Sequence, residues 1–138
     1  MNENMKEVYN FFKERGIFFV STVDGDEPKV RPFSFIMIYE DKICFCTSNK
    51  KPFYAQLMKN PNIEMCASTD TDWVRLKGKA VFCTTEEAQA KALEIAPHLK
   101  NLYSVGDGVF EIFTIEEAVA DFCSLGDGQT KTVNLYSV

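Results

Sequence analysis

Histidine and tryptophan each occur once in this sequence, as His98 and Trp73. With one imidazole, which follows Pro97 in a helix-ending context suited to an exposed or capping role, no Ser-His-Asp or Cys-His relay can be assembled. The five cysteines, at 44, 46, 66, 83 and 123, form no C-x-x-C pair, and no histidine lies near enough to complete a zinc set. Their odd number and the placement of four of them in apolar, strand-like runs read as buried thiols in a reducing compartment. No apolar run approaches the length of a membrane span, and the opening M-N-E-N-M-K-E lacks a signal-peptide pattern, so cytoplasm is the expected location. Positive charge is also scarce. Fifteen Lys and Arg against 20 Asp and Glu leave a formal net charge of −5, which argues against general nucleic-acid binding through a basic surface.

What is present describes a folded protein. Hydrophobic residues make up 46% and charged residues 25% of 138 residues, enough for one hydrophobic core, so residues 1–138 are expected to form a single domain. Met5, Val8, Phe11 and Phe12 recur at helical spacing before Gly16, predicting an amphipathic helix over 2–15 that covers one opening of a sheet or barrel. Residues 17–23 are β-branched and aromatic and end at Asp24-Gly25-Asp26-Glu27-Pro28, a hairpin signal. The return strand is expected over 29–39, with Pro32 removing one ladder donor and therefore favouring an edge.

A third strand over 43–48 leads through Asn49, Lys50 and Lys51 into a helix opened by Pro52, with Phe53, Tyr54, Leu57 and Met58 on its apolar side and Asn60-Pro61 at its end. Strand four covers 63–68. Residues 73–83 alternate cleanly, with Val74, Leu76, Gly78, Ala80 and Phe82 on one face and Arg75, Lys77 and Lys79 on a solvated one; Gly78 suggests a bulge or barrel corner. Thr84 and Glu87 match the capping-box spacing ahead of a helix to about Pro97. A loop over 100–108, a strand over 109–115, an ambiguous segment 118–125 and a final extended piece 130–136 complete the chain. Six or seven strands joined mainly by hairpins, with helices at the periphery, predict a mainly β (α+β) antiparallel barrel.

One stretch carries chemistry. From Cys46 to Lys51, hydroxyls at Thr47 and Ser48 and two lysines gather where a strand ends and a helix begins, and free amides, hydroxyls and cations are what an anion needs. An ordinary strand-to-helix connection with a solvated lysine pair has the same sequence. Context outside the loop bears on the choice.

Three motifs in order supply that context: G-x-x-P-x-V-R-P-F at 25–33, C-T-S-N-K-K-x-x-Y-x-Q-L-x-x-N-P at 46–61, and V-x-L-x-G-x-A at 74–80. Together they resemble the pyridoxamine 5′-phosphate oxidase-like FMN-binding split barrels, on the branch that includes nitroimidazole-resistance proteins. The resemblance spans about 17–115. It implies a homodimer with two FMN sites in clefts between subunits, with Arg31, Pro32, Phe33 and Ser34 beside the flavin ring. Thr47, Ser48, Lys50 and Lys51 would hold the phosphate, and Trp73 would lie where the partner subunit contributes or where it fills the dimer interface. It further implies an oxidoreductase passing hydride or electrons from NAD(P)H through FMN to a small acceptor such as a nitro compound, with no side chain required as acid or base. A non-catalytic FMN- or haem-binding sensor or carrier and a deazaflavin-dependent reductase remain open on the same fold. The chain departs from the pattern at Phe53, where many relatives carry a basic residue. The C-terminal Trp and Arg that the oxidase uses on its vitamin substrate have no counterparts in 107–138. Nor does His98 align with the active-site histidine associated with nitroimidazole-resistance proteins.

Overall fold

The computed structural model describes residues 2–136. Helix α1, Glu3–Arg15, is capped by the Asn2 side chain, which accepts from Met5 N, and stops at Gly16 with φ 77°. Met5, Val8 and Phe12 face the core, as their spacing requires. Strands β1 (Phe18–Asp24) and β2 (Glu27–Phe33) form the expected hairpin across Gly25, whose φ of 66° only glycine adopts cheaply.

The expected return strand over 29–39 is in fact two. β2 ends at Phe33, where its partner β1 has run out, and β3 (Met37–Tyr39) pairs instead with β4 (Lys42–Ser48). The strand path, with β5 (Asn62–Ser68), β6 (Asp72–Phe82) and β7 (Phe110–Ser124), is β2-β1-β5-β6-β7-β4-β3, antiparallel throughout. β2 and β3 are therefore neighbours in the chain and the two ends of the sheet. The barrel is split between them, and residues 34–36 bridge the slit. Pro32 sits on the edge strand β2, as a residue without an N–H should.

The break raises the strand count to eight. Residues 118–125, ambiguous by pattern, extend β7 to 15 residues, and β8 (Thr130–Asn134) pairs with that extension. Between the halves of β7 a bulge displaces the register opposite Lys77 and Lys79, with Glu117 at φ 52°. Gly78 is the reason the strands can close there: a Cβ on it would collide with Ile115 Cγ2 and the Glu116 carbonyl.

Helix α2 (Pro52–Lys59) buries Phe53 and Leu57, while Met58, expected on the apolar side, is 55% exposed. Helix α3 (Glu86–Ile95) begins one residue later than the capping-box spacing suggests. The Thr84 hydroxyl is already engaged, accepting from Ile112 N at 2.9 Å and donating to Glu111 Oε1 at 2.6 Å, so Thr85 caps the helix through Ala88 N. A 3₁₀ helix, Pro97–Asn101, occupies the start of the expected loop. Phenylalanines tie the halves of the barrel together across the slit. Phe33 on β2 meets Phe53 of α2 at 5.0 Å and Phe113 of β7 at 6.4 Å, and Phe45 stacks on Phe113 at 5.4 Å. Truncating a buried ring of this kind costs about 3–5 kcal/mol.

Candidate functional site

The slit carries a cleft made of two adjoining pockets. One, of about 240 Å³, is bounded by Arg31, Pro32, Phe33, Thr47, Lys51, Pro52 and Phe53. The other, of about 190 Å³, shares Pro32, Phe33, Thr47 and Lys51 and continues past Ser34. A larger cavity of about 490 Å³ lies elsewhere, on β1, β5 and β6, and contains none of the phosphate-type residues at 47–51.

The first pocket has the chemistry of an anion site. Thr47 is 3% exposed, and its Oγ1 has no hydrogen-bond partner among the described residues, which leaves a polar atom desolvated at a cost of about 1–3 kcal/mol unless something else accepts its hydrogen bond. Beside it starts α2, with Pro52 at the first turn, no capping side chain and no acidic residue there. Helices α1 and α3 are capped by Asn2 and Thr85 and carry glutamates in their first turns. The positive end of the α2 dipole thus faces the cleft uncompensated. Lys51 lines both pockets, and Arg31 adds a second cation.

Arg31 is a held residue. Its guanidinium donates to Thr22 Oγ1 at 2.7 Å and to Gln56 Oε1 at 2.9 Å, and rests over the Phe53 ring at 4.8 Å from the centroid. Thr22 also donates to Gln56 Oε1, at 2.5 Å. Burial lowers the guanidinium pKa somewhat, yet an arginine stays protonated at any physiological pH. Because none of these partners is an acid, the full charge remains for the cleft.

The residues expected to hold a cofactor fall into three groups. Arg31, Pro32, Phe33, Ser34, Thr47 and Lys51 meet in the cleft. Ser48 and Lys50 do not line it: the buried Ser48 Oγ accepts from Lys50 N at 3.1 Å and shapes the turn that presents Lys51. Trp73 lies at the start of β6, in a separate pocket with Phe11 and Phe122. The cross-strand pairings put Trp73 on the outward sheet face that also carries Phe19, Val30 and Arg75. Arg75 and Lys79 are engaged with Asp121 and Glu117, each at 3.4 Å, consistent with a solvated charged face.

Other residues at or behind the cleft lie outside the set expected to hold a cofactor. Gln56 and Thr22 position Arg31, though Gln56 belongs to the quoted Q-L motif and could have been read from it. Phe35, Cys46, Leu99, Leu102 and Tyr103 line the second pocket. The last three come from the segment after α3, about 50 residues from Cys46 in the chain, and no local spacing foreshadows their arrival. The Cys46 thiol is pushed up to about 12 by burial, so it remains protonated and is no nucleophile at neutral pH.

Comparison with known proteins bears on the fold and the family. The family model described as pyridoxamine 5′-phosphate oxidase matches residues 4–118. A NimC/NimA family protein from Clostridium acetobutylicum is 35% identical, covering 96% of this chain and 93% of that one, with a TM-score of 0.89. A pyridoxamine 5′-phosphate oxidase-related, FMN-binding protein from Nostoc punctiforme shares the fold at 11% identity, 99% coverage of both chains and a TM-score of 0.69. A haem-binding protein from Mycobacterium smegmatis does so at 15% identity and a TM-score of 0.72, covering 97% of this chain and 59% of that one. No curated protein matches the sequence. The matched family model, the split between β2 and β3 and the 35% identical relative together establish that this chain belongs to the pyridoxamine 5′-phosphate oxidase family of split barrels, on its NimC/NimA-like branch.

Proposed function

We propose that the protein is an FMN-binding oxidoreductase that takes hydride from NAD(P)H and delivers electrons to a small-molecule acceptor. The observation that carries the reading is the orphaned, buried Thr47 hydroxyl in a pocket that Arg31 and Lys51 also line, beside the uncapped start of α2. A phosphate monoester supplies what that arrangement lacks: an acceptor for the hydroxyl and charge for the two cations. Thr47, Lys51 and Arg31 would bind the phosphate end, and the Pro32–Ser34 edge, with its ladder interrupted, would offer backbone groups to the ring. Bound there, FMN supplies two-electron chemistry between a nicotinamide donor and the acceptor. The chain's own part is to bind, orient and keep water from one face. No side chain need serve as acid or base, and protons would come from solvent.

The outward face of β1 and β2 supports a homodimer. Ile17, Phe19 and Val30 are 59%, 53% and 69% exposed there, an apolar cluster that a second copy would cover. Val30→Asp is expected to give a monomer in sedimentation. Five free thiols agree with a reducing, cytoplasmic setting.

The test is direct. The purified protein should show an oxidised-flavin spectrum, or acquire one on adding FMN, and bleach on adding NADH or NADPH. A protein that ignores FMN overturns the reading. One that binds FMN but is never reduced by either nicotinamide is a carrier or sensor, and preference for a deazaflavin would make it a reductase of that kind.

A further inference from the structure

We propose that Gln56 is a positioning residue that presents Arg31 to the anion by one edge of its guanidinium, with the charge uncancelled. The inference rests on the reading of the cleft as a phosphate site and names how this chain builds it. Gln56 stands behind the cleft and lines neither of its two pockets. Its effect on a bound anion would pass through the arginine.

A guanidinium carries its N–H donors on two forked edges, an end formed by Nη1 and Nη2 and a side formed by Nε and Nη2. Thr22 Oγ1 accepts from Nη1 at 2.7 Å and Gln56 Oε1 accepts from Nη2 at 2.9 Å, so these two oxygens grip the end. Nη1 also reaches the Val20 and Lys29 carbonyls, each at 3.4 Å. Every acceptor that Arg31 finds among the described residues meets Nη1 or Nη2, and the Nε N–H meets none. The side edge is the one left for a ligand. Its two parallel donors match two oxygens of one phosphate.

The identity of residue 56 follows from what the grip must avoid. Gln56 Oε1 accepts from the Thr22 hydroxyl as well as from Arg31, so one oxygen there orders both partners. A glutamate oxygen would meet the same two donors. It would also set a full negative charge against the guanidinium, and a cation already paired with an acid attracts phosphate less. The amide fixes the arginine without neutralising it. Because Thr22, Arg31 and Gln56 come from β1, β2 and α2, the grip holds the guanidinium in place before an anion arrives, and binding has little ordering left to do.

The experiment compares FMN with riboflavin, which has the ring and lacks the phosphate, in the unsubstituted protein, Gln56→Glu and Gln56→Met. Gln56 is half-buried and borders a cavity of about 400 Å³ beside the β1–β2 turn, so either replacement has room, and thermal unfolding checks that both variants fold. FMN affinity should fall about tenfold in Gln56→Glu and about threefold in Gln56→Met, while riboflavin affinity stays within about twofold. An unchanged preference for FMN in a folded Gln56→Glu overturns the proposal. So does an equal loss for both ligands, which would make Gln56 a support of the fold and no more. A second measurement needs no flavin and no variant: inorganic phosphate is titrated into the unsubstituted protein while the NMR signal of the Arg31 Nε N–H is followed. That signal should shift, and a signal that phosphate and FMN both leave in place overturns the inference. If phosphate moves it but FMN does not bind, the functional reading fails alone; if FMN binds without moving it, this inference fails alone.

Discussion

The guanidinium carbon of Arg31, on β2, lies 4.8 Å from the ring centroid of Phe53, on α2. The aromatic ring here supports a cation arriving from β2 instead of supplying one from α2. A desolvated cation–π contact contributes about 0.5–2 kcal/mol. Phe53→Leu keeps an apolar side chain in the core and removes the π face, so FMN affinity should fall several-fold when measured by quenching of flavin fluorescence. Unchanged affinity would mean that Thr22 and Gln56 hold Arg31 unaided.

Thr47→Val separates stability from binding. Valine has nearly the shape of threonine without the hydroxyl, and in the protein without cofactor that hydroxyl is buried and unpaired. Removing it should raise the urea midpoint, by about 1 kcal/mol in stability, while FMN binding weakens by a similar amount or more. A destabilised variant would show that the hydroxyl already has a partner.

The two lysines of the turn should behave differently. Lys51 borders both pockets, whereas Lys50 lines neither and contributes its backbone N–H to Ser48 Oγ. Lys51→Ala is expected to lose a charge-assisted bond of about 1.5–3 kcal/mol, tenfold or more in FMN affinity, and Lys50→Ala to change it little. Equal losses would assign the effect to general electrostatic attraction, which raising the salt concentration would abolish.

Much of this architecture was legible from local pattern because local physics fixes it. Asp24-Gly25 made the hairpin, Pro32 marked an edge, and Gly78 marked a bulge, each through a constraint carried by one residue. What escaped depends on distant partners. Nothing at Ser34 announces that β2 has lost its neighbour and must cross to the other sheet edge, and Thr84 lost the capping role only because Glu111 and Ile112 claim its hydroxyl. The anion half of the cleft is nearly contiguous in sequence, from Thr47 to Phe53 with Arg31 added by the hairpin, and could be anticipated. The apolar half is assembled from Phe35, Cys46 and the segment after α3, which only the folded chain brings together.

The thiols should report pH in a defined order. Cys83 packs against the cluster that holds Cys44, and the neighbouring thiol brings the Cys83 thiol down to about 7, helped by Lys42 and opposed by burial, while the same neighbour and burial drive Cys44 far upward. Burial also holds Cys46 near 12. Iodoacetamide should therefore alkylate Cys83 first, with a rate that rises through a midpoint near pH 7 and a fast phase absent from Cys83→Ser. The same shifts act on stability. Cys83 is depressed below the unfolded value of about 8.5, so its contribution is full above that value and is lost as pH falls through 7. Cys44 and Cys46 are raised, so theirs is full below about 8.5 and is lost as pH rises past it. Urea midpoints across pH 6.5–10 should pass through a maximum near about 8.5 that Cys83→Ser flattens on its acid side. A Cys83 alkylation midpoint near the ordinary thiol value would mean that Cys44 does not act on it in solution.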